Sequence, residues 1–150
     1  VDIGSSYLPS ELLAAYLSVQ LENQALIQSR RQQIWERYNH ELADWADHHD
    51  VRRPIIPAHC QQAYHMYYLL LPSLDIRSRL MTYLKENGIL SVFHYLPLHL
   101  SDMGIKFDGQ PGDCPVTEDI SDRLLRLPFF YSLTDAEQAE VIAALLQFEF

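Results

Sequence analysis

Apolar positions recur at helical spacing from early in the chain. In "SELLAAYLSVQLENQALIQSRRQQIWERYNHELADWAD", Leu13, Leu17 and Leu21 are followed by Ile34, Tyr38, Leu42 and Trp45, the three-and-four spacing of one helix face. Ser10 can cap this segment, Pro9 blocks its extension backwards, and neither Gly nor Pro interrupts it from Ser10 to Asp47. The pattern predicts one helix of roughly 50 Å at about 1.5 Å per residue. A helix of that length draws its stability from a partner along it. Its first half is therefore a candidate interface, towards this domain's sheet, another domain or a second subunit.

The pattern then changes. "HHDVRRPIIPAH" is a polar, proline-bearing connection, and "QQAYHMYYLLLP" predicts a strand from Gln62 to Leu71, dense in Tyr and Leu and stopped by Pro72. "SLDIRSRLMTYLKENG" predicts a helix capped by Asp75 and ended at Gly88, where a missing Cβ suits the left-handed C-terminal position. "ILSVFHY" predicts a second strand. From Leu96 to Pro115 runs an irregular segment with three glycines and three prolines, of a length that is usually functional or disordered. "VTEDISDRLLRLPFF" predicts a short helix leading into a third strand near Leu124 to Leu127, and "LTDAEQAEVIAALLQFEF" a last helix, with Thr134 and Glu137 forming a capping box. The fold class expected is α+β: a small antiparallel or mixed sheet of about three strands, with helices mostly on one side.

Composition narrows the function classes. With 150 residues, 48% of them hydrophobic, the chain suffices for a single domain with its own core. A formal net charge of −9 argues against nucleic acid or anionic lipid as partner. No apolar run approaches the roughly 20 residues of a membrane span. Cys60 and Cys114 form no CxxC pair and no disulfide framework, which points to a reducing, cytoplasmic setting. The opening "VDIGSSYLP" lacks Met, and the chain is expected to be a piece of something longer.

The chemistry gathers in "GILSVFHYLPLH", where His94, Tyr95 and His99 follow the end of an apolar strand. His65, His94 and His99 with Asp102 offer nitrogen and carboxylate ligands for a metal, but HxxxxH fits no standard zinc helix and no Cys lies near, so no metal is assigned. His94 or His99 can act as acid or base near neutral pH, although the local sequence names no orienting partner. Histidines satisfied by backbone or water are the plain alternative. A Ser/His/Asp hydrolase lacks its G-x-S-x-G. Gly4, Ser5 and Ser6, just ahead of a helix start, can hold an anion or simply cap the helix. Arg30, Arg31 and Arg37 sit among acids on a solvated helix face.

Four blocks, "DIGSSYLPSELLAAYLSVQLE", "HMYYLLL", "VFHYLPLH" and "SDRLLRLPFFYSLT", taken in order, resemble the C-terminal part of the DegT/DnrJ family of sugar-nucleotide aminotransferases. The resemblance spans essentially the whole chain. It implies the small C-terminal domain of a fold-type I enzyme that uses pyridoxal phosphate, with the long N-terminal helix as the linker between two domains. The implied reaction takes an amino group from glutamate and delivers it to a dTDP-4-keto-6-deoxy sugar, in a homodimer.

The resemblance also assigns residues. The loop from Gly4 to Pro9 would reach the neighbouring subunit's cofactor, with Ser6 at the phosphate where relatives commonly have Asn, and Ser5 and Tyr7 beside it. Leu8 stands where many relatives have Arg. His94, Tyr95 and His99, with His65, would line the substrate side, hydrogen-bonding hydroxyls and phosphates; His65 can equally be a core-facing or edge histidine. The lysine that anchors the cofactor belongs to the family's large N-terminal domain. Lys85 and Lys106, the two lysines here, match no such motif, so the chain alone is expected to be inactive. The alternative is a non-catalytic α+β module that binds a sugar nucleotide or mediates oligomerisation.

Overall fold

The computed structural model describes residues 8–150; Ser5, Ser6 and Tyr7 lie outside the described residues. The expected single N-terminal helix is three successive segments, α1 (Glu11–Glu22), α2 (Gln24–Glu41) and α3 (Ala43–His48). The interruptions are single residues, Asn23 at φ −99° and Leu42 at φ −95°. Hydrogen bonding runs on through both, from Asn23 N–H to the Val19 carbonyl and from Leu42 N–H to that of Tyr38. At Asn23 the side-chain amide also donates to the Val19 carbonyl, the local competition with helix geometry that Asn is prone to. At Leu42 the side chain is fully buried, and packing outweighs helix regularity.

Two halves of this run behave differently. Ile34, Tyr38, Leu42 and Trp45 are all in the core, whereas α1 buries no residue at all. Leu12, Leu13, Tyr16, Leu17 and Leu21 are exposed, Leu12 by 84%. The same spacing that predicted one apolar face thus serves a core in α2 and α3 and an uncovered surface in α1.

The sheet has three short strands, β1 (Tyr68–Leu70), β2 (Val92–Phe93) and β3 (Leu124–Arg126), in the order β1-β3-β2 with both pairings antiparallel. The chain passes from β1 through α4 (Leu74–Glu86) to β2, yet those strands do not pair; β3 arrives later and sits between them. Tyr68 and Val92 both face Arg126, and Leu69 and Phe93 both face Leu125. The first strand is much shorter than the predicted Gln62 to Leu71. Its last bond to β3 is that of the Tyr67 carbonyl with Leu127 N–H, and within the predicted stretch Tyr64 takes φ +46°, outside extended geometry.

Local chemistry corrects two further expectations. Ser73, not Asp75, caps α4, its hydroxyl accepting from Ile76 N–H; Asp75 lies in the first turn, where a carboxylate suits the helix dipole. Gly88 takes φ +75° just past the helix, as its position requires. The segment from Leu96 to Pro115 is partly structured: a 3-10 turn at Leu98–Leu100, then α5 (Asp102–Lys106) capped by Ser101. Next comes α6 (Pro115–Arg123), opened by a proline at its first position. Last, α7 (Asp135–Gln147) carries the capping box expected at Thr134 and Glu137.

One core holds these layers together. Leu69, Leu71, Leu125 and Leu127 from the sheet meet Leu80 and Leu84 of α4, Val141, Ile142 and Leu145 of α7, and the buried residues of α2 and α3. Inside it Tyr67 stacks on Tyr38 at 5.2 Å and meets Trp35 edge-on at 5.5 Å. Both phenols find acceptors, Tyr38 in the Pro128 carbonyl and Tyr67 in the Asn39 side chain, as buried hydroxyls must. The fully buried Gln138 of α7 donates to the Ile34 carbonyl of α2 at 2.7 Å.

Candidate functional site

Strand alternation divides the sheet. Leu69, Leu125 and Phe93 share the face turned to the core, and Tyr68, Arg126 and Val92 share the other. Leu69 and Leu125 belong to the core cluster, while Phe93, 37% exposed, and the latter three do not. Arg126 is thus on the central strand, flanked by a partner from each edge strand, on the face left outside the core.

His94 and Tyr95 follow β2 directly, with their rings edge to face at 3.9 Å between centroids and a cis peptide bond joining them. The Tyr95 hydroxyl accepts from Arg126 Nη1 at 3.1 Å. The His94 imidazole is pulled below its ordinary value of 6.5, first by partial burial, then by the Arg126 guanidinium, then by His65. Desolvation and like charge both disfavour the imidazolium, so His94 is neutral at physiological pH. Tyr95 and His94, two of the residues expected from sequence, thus lie with an arginine that the sequence reading had not singled out, the one bonded to it and the other within reach of its charge, while His65 acts on His94. Among the described residues no carboxylate lies within ion-pair distance of Arg126, His94 or His65.

His99 is elsewhere in the local architecture. It lies in the 3-10 turn, and its Nε2 meets the Glu118 carboxylate at 2.9 Å. The same carboxylate accepts from the backbone N–H groups of Gly112 and Cys114. These bonds hold Glu118 below the usual carboxylate range, the His99 contact contributing most and the Gly112 N–H next. Gly104 and Gly109 lie so close to the backbone of His99 that a Cβ on either would collide with it. Glu118 and the two glycines thus fold residues 98–118 onto His99. Asp102, at the start of α5, opens that helix, and among the described residues no three His, Cys, Asp or Glu side chains form a group able to hold a metal.

Both Arg126 and Glu118 were missed in the sequence. For Arg126 the signal was present: in "LLRLP" two leucines that alternate into the core leave an arginine between them on the opposite face. For Glu118 there was none, because its partners lie four to nineteen residues away across an irregular loop. The two lysines, Lys85 in the last turn of α4 and Lys106 in the last turn of α5, are exposed.

The fold is a small α+β one, with helices packed on a three-stranded antiparallel sheet. The chain belongs to the DegT/DnrJ/EryC1/StrS aminotransferase family, whose model matches residues 2–146. It is 31% identical over 138 residues to the dTDP-4-dehydro-2,3,6-trideoxy-D-glucose 4-aminotransferase of Saccharopolyspora spinosa, covering 91% of this chain and 34% of that protein. Among solved structures it is similar to a DegT/DnrJ/EryC1/StrS aminotransferase from Brucella abortus, with 28% identity, a TM-score of 0.73, and 94% of this chain and 38% of that one covered. A sugar aminotransferase of Streptococcus pneumoniae in its PMP form shares the fold, with a TM-score of 0.80 at 22% identity over 91% of this chain and 34% of that one. The chain spans about a third of the length of the relatives it matches. No helix among the described residues is long and apolar enough to cross a membrane.

Proposed function

We propose that the protein carrying this chain is a pyridoxal phosphate-dependent aminotransferase that moves an amino group from glutamate to a dTDP-4-keto-6-deoxy sugar. In this reading it makes dTDP-4-amino-4,6-dideoxygalactose, and residues 1–150 are its small C-terminal domain. The observation that carries the reading is the His94–Tyr95 pair, set by β2 on the sheet face outside the core in a chain of this family. The acceptor named for the Saccharopolyspora relative, also a dTDP-linked 4-keto sugar, supports the substrate class.

Within the proposal, His94, Tyr95 and His65 hydrogen-bond hydroxyl and phosphate oxygens of the substrate, and His99 borders the pocket while anchoring its loop through Glu118. Imidazole and phenol groups suit that task, since each can donate or accept. Pyridoxal phosphate, when bound, supplies the electron sink for moving the amino group. The described residues fit an anionic substrate but include no lysine in the His94 group, so the cofactor's covalent anchor is assigned to the large domain and the isolated chain is inactive. Ser6, with Ser5 and Tyr7, would donate to the cofactor phosphate of a neighbouring subunit. The uncovered apolar side chains of α1 support contact with that large domain or with the second subunit of a cytoplasmic homodimer.

The test uses the intact protein. Purified enzyme should show the visible absorbance of bound pyridoxal phosphate, lose it on addition of glutamate, and regain it with a dTDP-4-keto-6-deoxy sugar. A protein that binds no pyridoxal phosphate would instead fit the non-catalytic binding or oligomerisation module.

A further inference from the structure

Arg126 differs from most arginines of the chain. Arg30, Arg37, Arg53, Arg79 and Arg123 each stand within 4.0 Å of a carboxylate. Arg126 has only the neutral Tyr95 hydroxyl, through Nη1 at 3.1 Å. The remaining guanidinium N–H donors are free of protein acceptors among the described side chains, and the group is half-buried on the sheet face. A planar fork of donors that keeps its charge at any ordinary pH is the side chain best matched to carboxylate or phosphate oxygens. The setting reinforces this: Arg126 and His65 both act on His94, and among the described residues no carboxylate lies within 4.0 Å of the nitrogens of these three side chains, although the chain as a whole carries a net charge of −9. On a chain of net negative charge, a guanidinium without an ion-pair partner is a place where an anion is attracted.

We propose that Arg126 is the anchor of an oxyanion subsite completed by His94 and the Tyr95 hydroxyl, taking a phosphate or carboxylate group of a substrate. The proposal rests on the aminotransferase reading for placing His94 and Tyr95 at a substrate pocket. Two sources supply such a group there, the diphosphate of the nucleotide sugar and the carboxylate of the amino donor. In the subsite Tyr95 orients the guanidinium through their mutual bond, Arg126 supplies the charge, and the neutral imidazole of His94 donates one further hydrogen bond.

The test is equilibrium binding to the intact protein, by calorimetry, of inorganic pyrophosphate and separately of glutarate, for the wild type, Arg126→Gln, Arg126→Lys and, as a control arginine on another strand-flanking segment, Arg52→Gln. Thermal melts of each variant report whether it is folded. The expected result is that Arg126→Gln weakens one of the two probes on the order of tenfold to a hundredfold, the loss of hydrogen bonds to a charged group. Arg126→Lys should recover part of this, and Arg52→Gln should leave both affinities unchanged. Weakened pyrophosphate binding assigns the subsite to the diphosphate, and weakened glutarate binding assigns it to the amino donor. In parallel, the His94 imidazole resonances should titrate at higher pH when the probe is bound to wild type, and not in Arg126→Gln. If wild type binds neither probe, or a folded Arg126→Gln binds both as wild type does, the subsite is overturned. Arg126-dependent binding in a protein without transaminase activity would overturn the functional reading and leave the subsite standing.

Discussion

His94 and Glu118 are shifted in the same direction by opposite means. His94 is held neutral by burial and by two basic neighbours, Arg126 and His65; Glu118 is held ionised by the donors gathered on its carboxylate. For His94 the unfolded chain binds a proton more readily than the native one, so stability rises with pH up to about its ordinary value of 6.5 and declines as pH falls below it. Removing Arg126 should move the His94 titration part of the way back towards 6.5, since burial, the larger cause, remains; imidazole proton shifts against pH in Arg126→Gln would check this. Glu118 works in the other sense: its contribution is present above its ordinary value of 4.5 and is lost as pH falls through its lowered one. Glu118→Gln should therefore speed amide exchange at Gly112 and Cys114 at neutral pH, and unchanged protection there would remove it as the organiser of the loop. Legibility at this scale followed covalent neighbourhood. His94 and Tyr95 could be picked out because they adjoin a readable strand, whereas Glu118 acquires its role only when the chain folds back on His99, and Arg126 only when β3 enters between two strands.

Among the elements, the helices were read more accurately than the strands, and the reason is physical. Helix bonds close within a few residues, so spacing and caps such as Thr134 with Glu137 express them locally. A strand extends only as far as its partner allows, and β1 pairs only along β3, remote from it in sequence. The first helices illustrate the limit of periodicity: it marked an apolar face in α1 and α2 alike but could not say which one this chain covers. Two substitutions separate them. Leu84→Ala, in α4 and fully buried, should cost about 2–5 kcal/mol of stability. Leu17→Glu, in α1 and more than half exposed at 55%, should change the stability of this chain by no more than about 0.5 kcal/mol. Denaturant midpoints of the two variants measure both. A large loss from Leu17→Glu would mean that α1 packs on this chain's own core.

For the molecule as a whole, the fold class was legible because three short strand patterns separated by helical ones admit few layerings. The order of the strands was not, since β1 and β2, neighbours in sequence, are parted in the sheet by β3. That order makes a prediction. A chain shortened to end at Arg123 lacks the strand that, among the described residues, pairs with both β1 and β2, as well as the Val141, Ile142 and Leu145 wall of the core. It should fail to fold, giving collapsed amide dispersion in NMR spectra. A dispersed spectrum would mean that the helices alone hold a native core.

The place of β3 also sets a timetable for synthesis. On a nascent chain β1 and β2 are made first and neither can bond to the other, so both wait with open backbone edges until the strand that joins them has emerged. The apolar residues of α2, α3 and α4 wait with them. Such a chain is exposed to wrong pairing for longer than a hairpin would be, and the demand it places on chaperones is written in the strand order rather than in the stability of the finished domain.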